Sequence, residues 1–165
     1  MTIRHATIAD AEAIAAMLFR LAEETGDGPH FSTTAETIRA HGFGDAPLFE
    51  TLIAEQNGAP AGLALFFRHF STTRGQPGVY VQDLWIAPEG RSSGLGAALL
   101  IAAAAYARNS WGAAYLALTR HGHNEGADAF YTRFGFTAQE SDVPMFLSGD
   151  GFTRLANRSK SEAAA

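Results

Sequence analysis

Cysteine is absent from the 165 residues, which excludes a disulfide framework, a thiolate zinc site, an iron–sulfur cluster and a cysteine nucleophile. Lysine occurs once, at Lys160, against eleven arginines, so a Schiff-base lysine and a P-loop lysine are also out of reach. Valine and isoleucine together number only ten, whereas alanine supplies 32 of the 77 apolar residues. Helices are therefore well provided and strands must draw on Phe, Leu and Tyr, a balance that points to a mixed α/β chain. No Lys/Arg cluster is present and the formal net charge is −5, which argues against a nucleic-acid surface and leaves small molecules as the expected partners. The longest uncharged apolar run, residues 95–107, is too short to cross a bilayer, and residues 1–10 alternate polar and apolar instead of forming a signal peptide. A cytoplasmic protein with no membrane contact is expected.

The length, with no internal repeat, suits a single domain over residues 1–158, followed by a tail, 159–165, expected to be disordered. Residues 2–5 read as a strand, and Thr7 with Asp10 as a capping box that opens an Ala-rich helix to about Thr25, with Ile14, Met17, Leu18 and Leu21 as its apolar stripe. After a loop at 26–31, Thr33 with Glu36 predicts a short helix to about His41. A strand at 48–55, the Asn57-Gly58 turn and a strand at 61–71 form a hairpin, and 79–86 is a third meander strand. The character then changes. A polar loop at 88–93 leads into a long helix from Gly94 to about Asn109, apolar nearly all round and so expected to be sandwiched. With a strand at 114–118 this run reads as a right-handed crossover between parallel strands. A short helix at 126–134, strands at 136–139 and 143–148 and a helical end complete the expectation.

The most informative stretch is Asp83-Leu84-Trp85-Ile86-Ala87-Pro88-Glu89-Gly90-Arg91-Ser92-Ser93-Gly94-Leu95-Gly96. It sets a strand end, a basic side chain, two serines and two glycines at a helix N-terminus. Exposed N–H groups and the positive end of the helix dipole make an anion site there, and glycines let a phosphate approach the backbone. A lone Gly-x-Gly also serves close helix–strand packing. A dinucleotide fingerprint fails, because the third glycine is replaced by Leu99 and no acidic residue follows at the right offset. The P-loop fails for want of lysine. What remains is Arg-x-x-Gly-x-Gly at residues 91–96, followed by Asn124 and by Phe130-Tyr131 with Gly135-Phe136.

This pair of motifs resembles the GNAT superfamily of N-acetyltransferases, over roughly residues 2–157. Ile3-Arg4-His5-Ala6-Thr7, Gly42-Phe43-Gly44 and Val79-Tyr80-Val81-Gln82-Asp83-Leu84-Trp85-Ile86 extend the resemblance to its diamine (spermidine/spermine) branch. The resemblance implies an α/β (α+β) fold with a mixed, mostly antiparallel twisted sheet flanked by helices and splayed between the fourth and fifth strands. It implies acetyl-CoA as the donor, with the backbone of Leu84, Trp85 and Ile86 along the pantetheine. The stretch Arg91, Ser92, Ser93, Gly94, Leu95, Gly96 and Ala97 would hold the pyrophosphate, and Asn124 and Phe130 would line the cofactor arm. Tyr131 would be the acid that protonates the departing thiolate. Ser92 stands where many relatives carry glycine. A homodimer is implied too.

The residues support that chemistry. A tyrosine near pKa 10 can protonate a thiolate whose conjugate acid is near 8.5, and positioned acid catalysis contributes roughly 10²–10⁴-fold. A base is also needed, because an alkylamine near pKa 10.4 is unprotonated only about once in 2,500 at pH 7. Where the diamine branch carries glutamate on the fourth strand, this chain has Gln82, which takes no proton. Asp83 alternates to the opposite face unless a bulge intervenes, and a bulge around 81–84 would also aim a backbone N–H at the donated carbonyl. His121 and His123 are further candidates for the base. They lack a third ligand at any standard spacing, so no metal is expected. Gln82, Asp83 and Tyr80 are expected to line the acceptor side, and Glu24, with Glu23 and Asp27, to attract a cationic amine. The expected reaction is direct acetylation of a primary amine on a small molecule, diamine-like or amino-acid-like, in a ternary complex. A non-catalytic acyl-CoA sensor and a protein or peptide N-acetyltransferase are the alternatives.

Overall fold

The computed structural model describes residues 1–120, 124–139 and 144–157. They form two compact units, Met1–His123 and Asn124–Ala165. The first is built on a five-stranded sheet in the order β1 (Thr2–His5), β2 (Glu50–Gln56), β3 (Ala59–Ser71), β4 (Gln76–Ile86) and β5 (Leu116–Leu118). All neighbours are antiparallel except β4 and β5, which are parallel and joined by the crossover helix α3 (Leu95–Trp111).

Two layers of helix cover the sheet. Helix α1 (Ala11–Thr25) lays Ile14, Met17 and Leu18 on one face, where they meet Ile38 of α2 (Ala35–Gly42) and Ile53, Leu63, Leu65 and Trp85 of the strands. Helix α3 covers the other face through Leu95, Leu99, Leu100, Ala103 and Ala107. Its apolar circumference predicted a helix covered all round, yet Ile101 is 59% exposed. The apolarity is mostly alanine, chosen for helix propensity and indifferent to water, so only one stripe needs cover.

The capping box at Thr7 and Asp10 is present, but it closes a 3₁₀ turn, Ile8–Asp10, and α1 begins one residue later. The cap of α2 is Thr34, whose hydroxyl accepts from Thr37 N at 3.2 Å, one residue beyond the Thr33 that the sequence suggested. The second strand starts at Glu50, because Leu48 is tied by its N–H to His41 O at 2.8 Å and is exposed.

The second unit holds α4 (Glu125–Thr132) and α5 (Gly149–Ala156). The strands predicted at 136–139 and 143–148 are not formed: the described parts, 136–139 and 144–148, are irregular. A strand needs a partner to satisfy its backbone, and among the described residues these segments have none. Phe136 packs on Tyr131 at 5.4 Å between ring centroids, while Met145 and Phe146 are each 91% exposed. Residue 143 and the predicted tail, 159–165, lie outside the described residues. No described helix is long and apolar enough to cross a membrane.

Candidate active site

The central strand pair carries an irregularity that decides which side chains share a face. Leu65 pairs with Asp83, but Phe66 pairs with Val81, so Gln82 is an extra residue on β4. This is the bulge on which the position of Asp83 depended. Cross-strand partners share a face. Leu65 belongs to the core beneath α1, so Asp83 and Trp85 look that way, while Phe66 meets Tyr106 of α3 on the other side at 5.9 Å. Before the bulge Tyr80 pairs with Phe67, two residues on from Leu65, and the two rings stack at 5.2 Å. The extra residue thus brings Tyr80 and Asp83, three apart, onto one face. Phe67 was not singled out by sequence reasoning, although the alternation Leu65-Phe67-His69 places it there.

The same point on β4 ends its pairing with β5, whose register stops at Val81 and Leu118 while β4 continues to Ile86. From Gln82 to Ile86 the β5 side of the strand has no strand partner among the described residues. Leu84 and Ile86 lie on this stretch and are partly buried. The Trp85 side chain is core, 8% exposed, which leaves its backbone as the part available to a ligand.

Asp83 is half-buried, and among the described residues its carboxylate has no hydrogen bond or ion pair. Burial raises its pKa to about 6. Gln82 is exposed, and the Tyr80 hydroxyl is 2.6 Å from Thr119 Oγ1. His121 and His123 lie outside the described residues.

Beyond β4 the chain makes a 3₁₀ turn, Pro88–Gly90, and enters α3. Ser92 has φ 62° and Gly94, the N-cap of α3, has φ 89°, both left-handed. The Ser93 hydroxyl donates to Gly90 O at 2.5 Å. Two left-handed residues in three bend the backbone so that successive N–H groups from Ser92 to Ala97 can converge at the helix start. No side chain caps that start, and nothing lies within 4 Å of where a Gly94 Cβ would stand. An uncapped 17-residue helix with open space before it suits a diphosphate, so the residues fit the donor that the family resemblance implied. The Arg91 side chain is placed differently. Its Nη2 donates to both Glu24 carboxylate oxygens at 2.6 Å, and its Nε donates to Ile86 O at 3.0 Å. Glu24 also accepts from Trp85 Nε1 at 3.2 Å. Glu24, expected at the acceptor, is thus joined to the loop expected at the cofactor.

Within the second unit Asn124 is the N-cap of α4, its side-chain oxygen accepting from Ala127 N at 3.0 Å. Phe130 packs edge-on against Tyr131 at 5.1 Å and Phe134 at 5.3 Å. Burial raises the Tyr131 pKa. Among the described residues nothing is hydrogen-bonded to its hydroxyl.

Comparison with known proteins identifies the family and the fold. A thialysine N-epsilon-acetyltransferase of Mus musculus is 29% identical over 94% of this chain and 97% of its own length. An uncharacterized N-acetyltransferase of Bacillus subtilis, YhfO, is 31% identical over 90% of this chain and 97% of its own. Among solved structures, an integron cassette protein from the mobile metagenome of V. cholerae superposes with a TM-score of 0.77 at 18% identity, covering 95% of this chain and 98% of that one. The profile of the acetyltransferase (GNAT) family matches residues 15–136, a span that contains the bulge, the glycine loop and Tyr131. The chain belongs to the acetyltransferase (GNAT) family and is an N-acetyltransferase.

Proposed function

We propose that the protein transfers an acetyl group from acetyl-CoA to the primary amine of a small molecule, with Asp83 as the base and Tyr131 as the acid. The observation that carries this reading is the Gln82 bulge, which turns a carboxylate with no partner among the described residues onto the Tyr80 face where β4 and β5 part. Acetyl-CoA would supply the acetyl group as a thioester, open to direct attack by a bound amine. An ammonium group brought to Asp83 pairs with it and then gives up its proton. A carboxyl near pKa 6 is ionised at neutral pH and is a better proton acceptor than an ordinary aspartate. Gln82 is left free of that duty and lines the acceptor side with Tyr80. The backbone at the bulge supplies an N–H to the carbonyl oxygen as charge develops there. Tyr131, made harder to ionise by burial, keeps its proton until it is needed by the leaving thiolate. The N–H groups from Ser92 to Ala97 hold the diphosphate.

The acceptor class draws on the relatives, of which one is named for thialysine and a solved structural neighbour for aminoglycosides, the latter supporting the fold only. A screen of diamines, polyamines, amino acids and aminoglycosides, read by release of CoA thiol, tests the reading. Acceptor-dependent release is expected with a small amine. Tight acetyl-CoA binding with no release from any acceptor overturns it in favour of a sensor. Tyr131→Phe is expected to keep the fold and cofactor affinity and to lose about 10²-fold or more in turnover. Near-normal turnover in that variant removes Tyr131 from the mechanism.

A further inference from the structure

We infer that Glu24 is a positioning residue for the cofactor loop, acting through Arg91, and not a ligand of the acceptor amine. The inference rests on the reading of the Ser92–Ala97 backbone as the diphosphate site.

Three observations carry it. Glu24 is the penultimate residue of α1, where the negative end of the helix dipole disfavours a carboxylate, so helix stability does not account for it. Its neighbour Glu23 is answered locally, by Arg20 at 3.3 Å. Glu24 is instead answered from 67 and 61 residues away, by Arg91 and by Trp85. The Trp85 indole is almost wholly buried and its N–H needs an acceptor, which the Glu24 carboxylate provides.

The second observation is where Arg91 stands. Residues 87–93 are stitched internally, through Gly90 N to Ala87 O at 2.8 Å, Arg91 N to Pro88 O at 3.3 Å and Ser93 Oγ to Gly90 O. That makes a stiff turn, anchored to β3 at its start by Ala87 N donating to Ala61 O at 2.9 Å. Arg91 ties down its far end. One end of its guanidinium holds Ile86 O at the close of β4 and the other holds α1 through Glu24. The next residue is Ser92 in the left-handed region, so the tie lies immediately before the N–H groups converge.

The third is exposure. Arg91 and Glu24 side chains are 47% and 40% exposed, and ion pairs so placed add little to global stability. Their effect is expected in the aim of the loop.

The test is a double-mutant cycle on the full chain, with CoA affinity measured by calorimetry alongside steady-state kinetics. Glu24→Ala is expected to weaken CoA binding about tenfold, with acceptor KM and saturated kcat within about twofold. Arg91→Ala is expected to do the same. Adding Glu24→Ala to Arg91→Ala is expected to change CoA affinity by less than about twofold more, because coupled residues are not additive. Glu24→Gln, which still accepts from Trp85, is expected to fall between wild type and Glu24→Ala, and the Trp85 indole N–H resonance should move in Glu24→Ala more than in Glu24→Gln. A rise in acceptor KM with CoA affinity unchanged assigns Glu24 to the amine and overturns the inference. Additive losses in the double variant overturn it as well. Failure of the wild-type chain to bind CoA overturns this inference together with the reading it rests on, an outcome distinct from either.

Discussion

A carboxylate buried without a hydrogen-bond partner opposes folding whenever it is ionised. Asp83, half-buried and without a hydrogen-bond partner among the described residues, is such a group, with a pKa near 6 in the folded chain against about 3.9 unfolded. The native state therefore binds the extra proton, and stability is lost as pH rises from about 4 to about 6 and stays lost above. Two pH units correspond to at most about 3 kcal/mol. Asp83→Asn is neutral at every pH. It is expected to exceed wild type in stability by about 1–3 kcal/mol at pH 8 and to match it near pH 4, while acetyl transfer falls about 100-fold or more. Urea unfolding at both pH values checks the first part, and a variant less stable than wild type at pH 8 contradicts it. In wild type, kcat/KM is expected to rise as pH passes about 6, where Asp83 becomes able to accept a proton. The identity of this residue as a candidate was legible in the sequence. Its face was not, since one extra residue at position 82 reverses the alternation and periodicity cannot reveal where a ladder slips.

The loop before α3 works through backbone conformation. Ser92 holds φ 62°, a region that a side chain disfavours by about 1–2 kcal/mol relative to glycine. Ser92→Gly relieves that strain and gives back some of it in unfolded-chain entropy, so a net gain of up to about 1 kcal/mol is expected in thermal unfolding. Gly94→Ala meets no atom but must adopt φ 89°. A loss of about 1–2 kcal/mol is expected, together with weaker CoA binding measured by calorimetry, because a flattened turn disperses the N–H groups. At this scale the sequence was informative where signals are local. Thr7 with Asp10, Asn57-Gly58 and the Gly94 helix start all fall within a residue or two of the observed boundaries. It misled at 136–139 and 144–148, where aromatic and β-branched residues suit a strand but no neighbouring strand completes the ladder among the described residues.

Over the whole molecule two carboxylates set opposite limbs of the stability profile. Arg4 Nη1 and Nη2 donate to Asp10 at 2.8 Å each, and its Nε donates to Glu55 at 2.7 Å, joining β1, the turn before α1 and β2. The guanidinium holds the Asp10 carboxyl well below the usual carboxylate range. That contribution is present above the unfolded value near 3.9 and is lost as pH falls through it and below. With Asp83 opposing stability progressively from about pH 4 to 6, these two groups place the maximum near pH 4. Asp10→Asn is expected to lose about 1–3 kcal/mol at neutral pH and to flatten the acid limb of thermal unfolding against pH. An unchanged acid limb rules out the Arg4–Asp10 pair as its cause. The sequence by itself determined the class of chemistry: no thiol and no usable lysine, a glycine loop at a helix start, a tyrosine in a second motif, and the meander and crossover of the sheet. These follow from residue type and short-range spacing, which act before the chain folds. Only the tertiary structure decided the face of Asp83, the end of the β4–β5 pairing and the joining of Glu24 to Arg91 and Trp85, because each depends on register or on contacts between residues more than sixty apart.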